Sequence, residues 1–91
     1  MKSDLRSILG ENIRRRREQL GYTQEGFAHY AHIARTYYGR IERGETNITI
    51  ERLGYVAAHL QTGVQELTRG LTFDVCCTNA REERDPKNSR P

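Results

Sequence analysis

Four residues able to recognise a polyanion or a base edge recur on one short segment: Arg35, Thr36, Arg40 and Arg43. An arginine guanidinium forms paired hydrogen bonds to guanine or phosphate, and a threonine meets either a base edge or a thymine methyl. Helical spacing sets Tyr38 and Ile41 together on the other, apolar side of this segment. The preceding segment holds Phe27, Ala28 and Ala31 at intervals that share one helical face. Only His32-Ile33-Ala34 separates the two, too short for a flexible loop, with Ile33 apolar enough to plug the gap. Two short amphipathic helices joined by a tight turn, the second carrying Arg and Thr outward, suit the major groove of double-stranded DNA. The implied chemistry is recognition of DNA.

These helices have to be held by a small core. The chain has 91 residues, 35% hydrophobic and 30% charged, enough for one domain with a tail. A core of this size usually supplies only about 3–5 kcal/mol, so association into a homodimer is expected on stability grounds alone. Net charge is +3, modest for a nucleic-acid binder, but thirteen of the fifteen basic residues are arginine. Seven of them lie between Arg14 and Arg43, against Glu18, Glu25 and Glu42. That concentration reads as an electrostatic footprint, with about half of the Arg14–Arg17 run a solvated helix face.

Other classes find little support. Met1 to Gly10 mixes charges without a long apolar run, and no segment approaches membrane-spanning length, so a cytoplasmic protein is expected. The sequence offers no Ser/His/Asp set, carboxylate pair or glycine-rich phosphate loop, and hence no enzyme. His29, His32 and His59 lack the spacing of a zinc site, and Cys76-Cys77 reads as an inert thiol pair, so neither metal nor cofactor is expected.

Five helices follow from periodicity and caps, an all-α fold. The first starts at Ser3 or Asp4 and runs to Leu20, with Leu5, Leu9 and Ile13 every four residues and Gly21 as the stop. Thr23 caps a second helix, Gln24 to Ala31, and Gly44 closes a third, Arg35 to Arg43. Gly26 and Gly39 inside them each cost roughly 1 kcal/mol relative to alanine. For Gly39 this suggests close approach to DNA or room for neighbouring arginines. Thr49 caps a fourth helix from Ile50 to about Leu60, and a short fifth begins near Thr62 or Gly63 and contains Val64 and Leu67. Residues 1–70 form the domain and 71–91 a tail. Leu71 to Val75 alternates like a strand at a dimer interface, and the remainder is polar enough to be disordered.

The ordered set Ile13-Arg14, Arg17, Gly21, Thr23-Gln24, Phe27-Ala28, Arg35 to Tyr38, Ile41 to Gly44, Asn47, Leu53, Ala57 and Leu60 resembles the lambda-repressor-like helix-turn-helix family, the Cro/cI or XRE type. The loop Gly44 to Thr49 looks like that of restriction–modification controller proteins within it. The resemblance implies a compact five-helix domain in which Arg35, Thr36 and Arg40 read bases. It implies phosphate contacts from Gln24, Tyr37, Arg43, Thr46 and Asn47, and a structural ion pair of Arg17 with Glu42. Three departures stand out. Ala34 replaces the usual hydroxyl cap of helix three, and Glu45 puts a negative charge in a loop that is often basic. His32 stands where glycine is common, which requires either strain or a backbone that is not left-handed.

The implied function is sequence-specific transcriptional regulation, as repressor or activator, by a homodimer on a near-palindromic operator. The alternative is an antitoxin-like interaction module in which 71–75 adds to a partner's sheet. Partners beyond DNA and a second copy, such as the transcription machinery or a toxin, stay open at this level.

Overall fold

The computed structural model describes residues 4–72. Five helices follow one another: α1 (Leu5–Gln19), α2 (Gln24–Ala31), α3 (Arg35–Arg43), α4 (Ile50–His59) and α5 (Val64–Leu67). None is long and apolar enough to cross a membrane. Most of the strand expected over 71–75, together with Cys76 and Cys77, lies outside the described residues; Leu71 and Thr72 are described and belong to no strand.

Side-chain oxygens set three of the helix starts. Asp4 accepts from the Ser7 amide at 2.9 Å, Thr23 from Gly26 at 2.9 Å and Thr49 from Arg52 at 3.0 Å. Each satisfies one of the amides that a helix start leaves without a partner. Ala34 has no such oxygen, and α3 begins without a side-chain cap. The ends use left-handed residues: Gly44 closes α3 at φ 74° and His32 closes α2 at φ 59°, ψ 44°. The turn backbone at His32 is therefore left-handed, and the other possibility left by the sequence is set aside. Histidine tolerates this region better than most side chains, at some cost in strain.

Every helix contributes to one core. Phe27, Tyr38, Ile13, Val56, Leu60 and Leu67 are its largest fully buried side chains, and Ile33 plugs the turn between α2 and α3. Phe27 and Tyr38 pack with their rings tilted and centroids 5.1 Å apart, joining the two helices across that turn. Polar side chains of α1 finish the ends of the later helices. Arg16 donates to the carbonyls of Leu60 (3.0 Å) and Gln61 (3.1 Å) after α4, and Asn12 donates to Leu67 and Arg69 (both 2.8 Å) after α5. Helix ends otherwise leave these carbonyls without partners.

The closest approach is between α1 and the end of α3. A Cβ added at Gly10 would stand 2.3 Å from the Glu42 carbonyl oxygen, and one at Gly44 would stand 2.9 Å from the Ser7 Cα. Both obstacles are backbone, so a side chain there separates the helices. Gly54, inside α4, faces open space. Gly10→Ala is therefore expected to destabilise the domain by about 1–3 kcal/mol, as overpacking does. Gly54→Ala should stabilise it by roughly 0.5–1 kcal/mol, the helical penalty of glycine. Urea unfolding of the two variants checks this, and equal effects would contradict the packing described.

Candidate nucleic-acid interface

Helix α3 is sharply two-sided. Tyr38, Gly39, Ile41 and Glu42 are buried, while Arg35, Thr36, Arg40 and Arg43 are exposed. Thr36, Arg40 and Arg43 fall within a narrow sector of the helix, whereas Arg35 lies on the stripe of Tyr38, Gly39 and Glu42 and is exposed because it stands at the helix start. Among the described residues, no ion pair involves Arg35 or Arg40. The start of α3 at Ala34 has no side-chain cap, so its first amides, at the positive end of the helix dipole, take no side-chain acceptor.

The rest of the arginine concentration is structural. Arg14 pairs with Glu11 (2.8 Å) and Glu18 (3.2 Å), and Arg15 with Glu11 (3.2 Å), on the solvated side of α1. Arg16 closes α4, and Arg17 is buried. The footprint read from Arg14 to Arg43 thus contracts onto α3 and its surroundings.

Beneath α3 lies a buried charge network. Arg17 Nε stands 2.8 Å from Glu42 Oε2, and Arg17 donates a second bond at 3.1 Å to Oε1. The pair is two-pronged, the geometry that suits a guanidinium best. Arg17 also donates to the Tyr22 carbonyl at 2.8 Å, and the Gln24 amide donates to Glu42 Oε1 at 3.0 Å. The side chains are only 9% and 2% exposed, which rules out treating this as a screened surface pair. Burial works against the Glu42 charge, but its neighbours, the Arg17 guanidinium foremost, hold the carboxyl below its ordinary 4.5. The Tyr38 phenol beside them has no hydrogen-bond partner among the described residues, and burial pushes it above its ordinary value.

The remaining residues read from the sequence are spread around this centre. Gln24 stands half-buried at the start of α2 with its amide held by Glu42. Tyr37 is half-buried and packs on the core. Arg43 is exposed and pairs with Glu45 at 3.1 Å. Thr46 turns toward the Asn47 carbonyl at 3.5 Å, a marginal contact, and Asn47 is exposed. A Cβ at Gly39 would meet the Arg43 guanidinium at 3.1 Å and the Gln24 amide oxygen at 3.3 Å. The glycine makes room for an arginine.

Two contacts had no signal in the helical period. Tyr55 of α4 donates its hydroxyl to the Ala31 carbonyl at 2.6 Å. It thereby holds α2 at its last residue, next to the left-handed His32. Arg52 lies over the rings of both Tyr37 and Tyr55, with its Cζ 5.9 and 5.8 Å from their centroids.

Comparison with known proteins covers this whole unit. A family model described as Helix-turn-helix, HTH_3, matches residues 13–67. Control protein C.SmaI of Serratia marcescens is 39% identical over 64 residues, 70% of this chain and 76% of that protein. The crystal structure of the hypothetical transcription factor NHTF from Neisseria superposes with a TM-score of 0.68 at 34% identity, covering 71% of this chain and 75% of that one. That of the restriction-modification controller protein C.AhdI from Aeromonas hydrophila gives 0.63 at 30% identity, covering 67% and 92%.

The buried pair has a pH signature. A carboxyl held below its unfolded value contributes stability above that value and loses it as pH falls through the folded one. Glu42→Gln leaves Arg17 buried without its counter-charge and should cost about 3 kcal/mol at pH 7. The gap between wild type and variant should close on acidification below the ordinary 4.5 of Glu42. Unfolding titrations at neutral and acid pH measure it, and a gap independent of pH contradicts the assignment.

Proposed function

This chain belongs to the HTH_3 helix-turn-helix family, and on that premise we propose that it is a transcriptional regulator reading double-stranded DNA sequence-specifically as a homodimer. The carrying observation is α3 itself, whose Arg35, Thr36 and Arg40 are exposed while Glu42 fixes the same helix from within. In the major groove, Arg35 at the helix start and Arg40 one turn after Thr36 supply guanidinium donors to guanine. Thr36 between them meets a base edge or a thymine methyl. Gln24, Tyr37, Arg43, Thr46 and Asn47 follow the phosphates, an arrangement that sets register and carries no sequence information of its own.

A dimer with a two-fold axis presents two copies of α3 to successive major grooves, roughly 34 Å apart, and the operator is near-palindromic. The relatives named as control proteins and the loop Gly44 to Thr49 support a restriction–modification controller, acting where the genome is, in the cytoplasm. The antitoxin-like alternative depends on 71–75, and no described contact favours it.

Base reading and phosphate contact separate by mutation. Arg35→Ala should cost about 1–3 kcal/mol and relax preference at one base position. Arg43→Ala should weaken binding to every duplex alike and lower the salt slope by about one. Titrations against matched and singly altered duplexes at several salt concentrations decide. Indistinguishable behaviour of the two variants removes Arg35 as a reader.

A further inference from the structure

Arg52 sits in the first turn of α4, yet its charge is directed toward α3. Its guanidinium carbon lies 5.9 Å from the Tyr37 ring centroid and 5.8 Å from that of Tyr55. Both distances fall within cation–π range, and a planar guanidinium can serve two ring faces at once. Among the described residues Arg52 has no carboxylate partner, in contrast to Arg14, Arg15, Arg43 and Arg69, each of which pairs with a glutamate.

The two rings are not equally fixed. Tyr55 is anchored by its 2.6 Å bond to the Ala31 carbonyl and by the His59 ring, 4.4 Å away. The Arg52 backbone is fixed by the Thr49 cap at 3.0 Å. Tyr37 is half-buried, on the first turn of a helix whose N-terminus has no side-chain cap. Tyr55 is 37% exposed but its hydroxyl is tied, Arg52 lies between the rings, and Tyr37, whose ring packs on the core, has no side-chain hydrogen bond among the described residues to fix its orientation.

We propose that Arg52 is a positioning residue that holds Tyr37, across Tyr55, in the orientation in which it meets DNA. This rests on the reading of α3 as the DNA-contacting helix. The benefit is preorganisation: a ring already placed loses less rotamer freedom on binding. A cation–π contact at an exposed site corresponds to roughly a two- to fivefold change in equilibrium. The effect on affinity should be of that size.

The test uses the full chain and two readouts. In the free protein, Arg52→Met keeps the length of the side chain and removes the charge, and it should shift the ring resonances of both Tyr37 and Tyr55. Against the duplex most enriched from a random pool by the wild-type protein, Arg52→Met should weaken binding about two- to fivefold with an unchanged salt slope. In a Tyr37→Leu background the same substitution should have no further effect. Arg52→Lys, which keeps charge without the plane, should recover only part of the loss and guards against misfolding of the methionine variant.

Unmoved Tyr37 resonances overturn the proposal, whatever the DNA result. So does an equal loss in both backgrounds, or a salt slope lowered by about one, which identifies a direct phosphate contact. Rings that respond while the wild type enriches no duplex overturn the DNA-reading premise, leaving a packing contact without a positioning role.

Discussion

The Glu42 carboxylate, buried under α3, takes hydrogen bonds from Arg17 of α1 and Gln24 of α2. Three helices therefore meet at one anion, and the orientation of α3 is fixed from its inner side. Desolvating two charges is costly, and a pair of this kind returns the cost only when its geometry is good and its remaining donors are satisfied. Arg17 meets that condition with two bonds to Glu42 and a third to the Tyr22 carbonyl. An apolar substitute could fill the same space, but it would tolerate sliding and rotation of α3. A two-pronged charge pair does not. On the proposed reading of α3 as the base-reading helix, fixing its angle matters more than the last increment of stability.

The same economy governs the other arginines. A protein with a net charge of +3 cannot rely on overall attraction to DNA. Most of the cations on α1 are engaged: Arg14 and Arg15 with neighbouring glutamates, Arg16 with the end of α4, Arg17 with Glu42. Arg35 and Arg40, like Arg52, carry charge that no described carboxylate neutralises; Arg40 stands on the outer face of α3 and Arg35 at its exposed N-terminal end. Arg43 is partly offset by Glu45 at 3.1 Å, an exposed pair of little intrinsic strength that a phosphate can displace.

Much of this was legible in the sequence. Thr23, Gly44 and Thr49 carry their own positional meaning, so the bounds of α2, α3 and α4 followed from cap chemistry and period. Ala34 likewise announced an uncapped α3 by its lack of a hydroxyl. What the sequence concealed was contact between helices. Nothing in the period of α1 distinguishes Arg16, which closes α4, from Arg15, which pairs with Glu11. Gly10 carries no mark of its role in the sequence, because the Glu42 carbonyl it avoids is thirty-two residues away. Tyr55 and Arg52 act on other helices, through the Ala31 carbonyl and the Tyr37 ring. Periodicity reports which face is buried, not what each side chain meets there.

A rigidly held α3, present in two symmetric copies, should select DNA by base sequence. Selection of bound duplexes from a random pool by the purified protein, near physiological salt, tests it most directly. An enriched motif with two-fold symmetry and half-sites about one helical turn apart, roughly 34 Å, is the expected result. Retention of DNA with no enriched motif would mean phosphate-driven binding alone and would contradict the account.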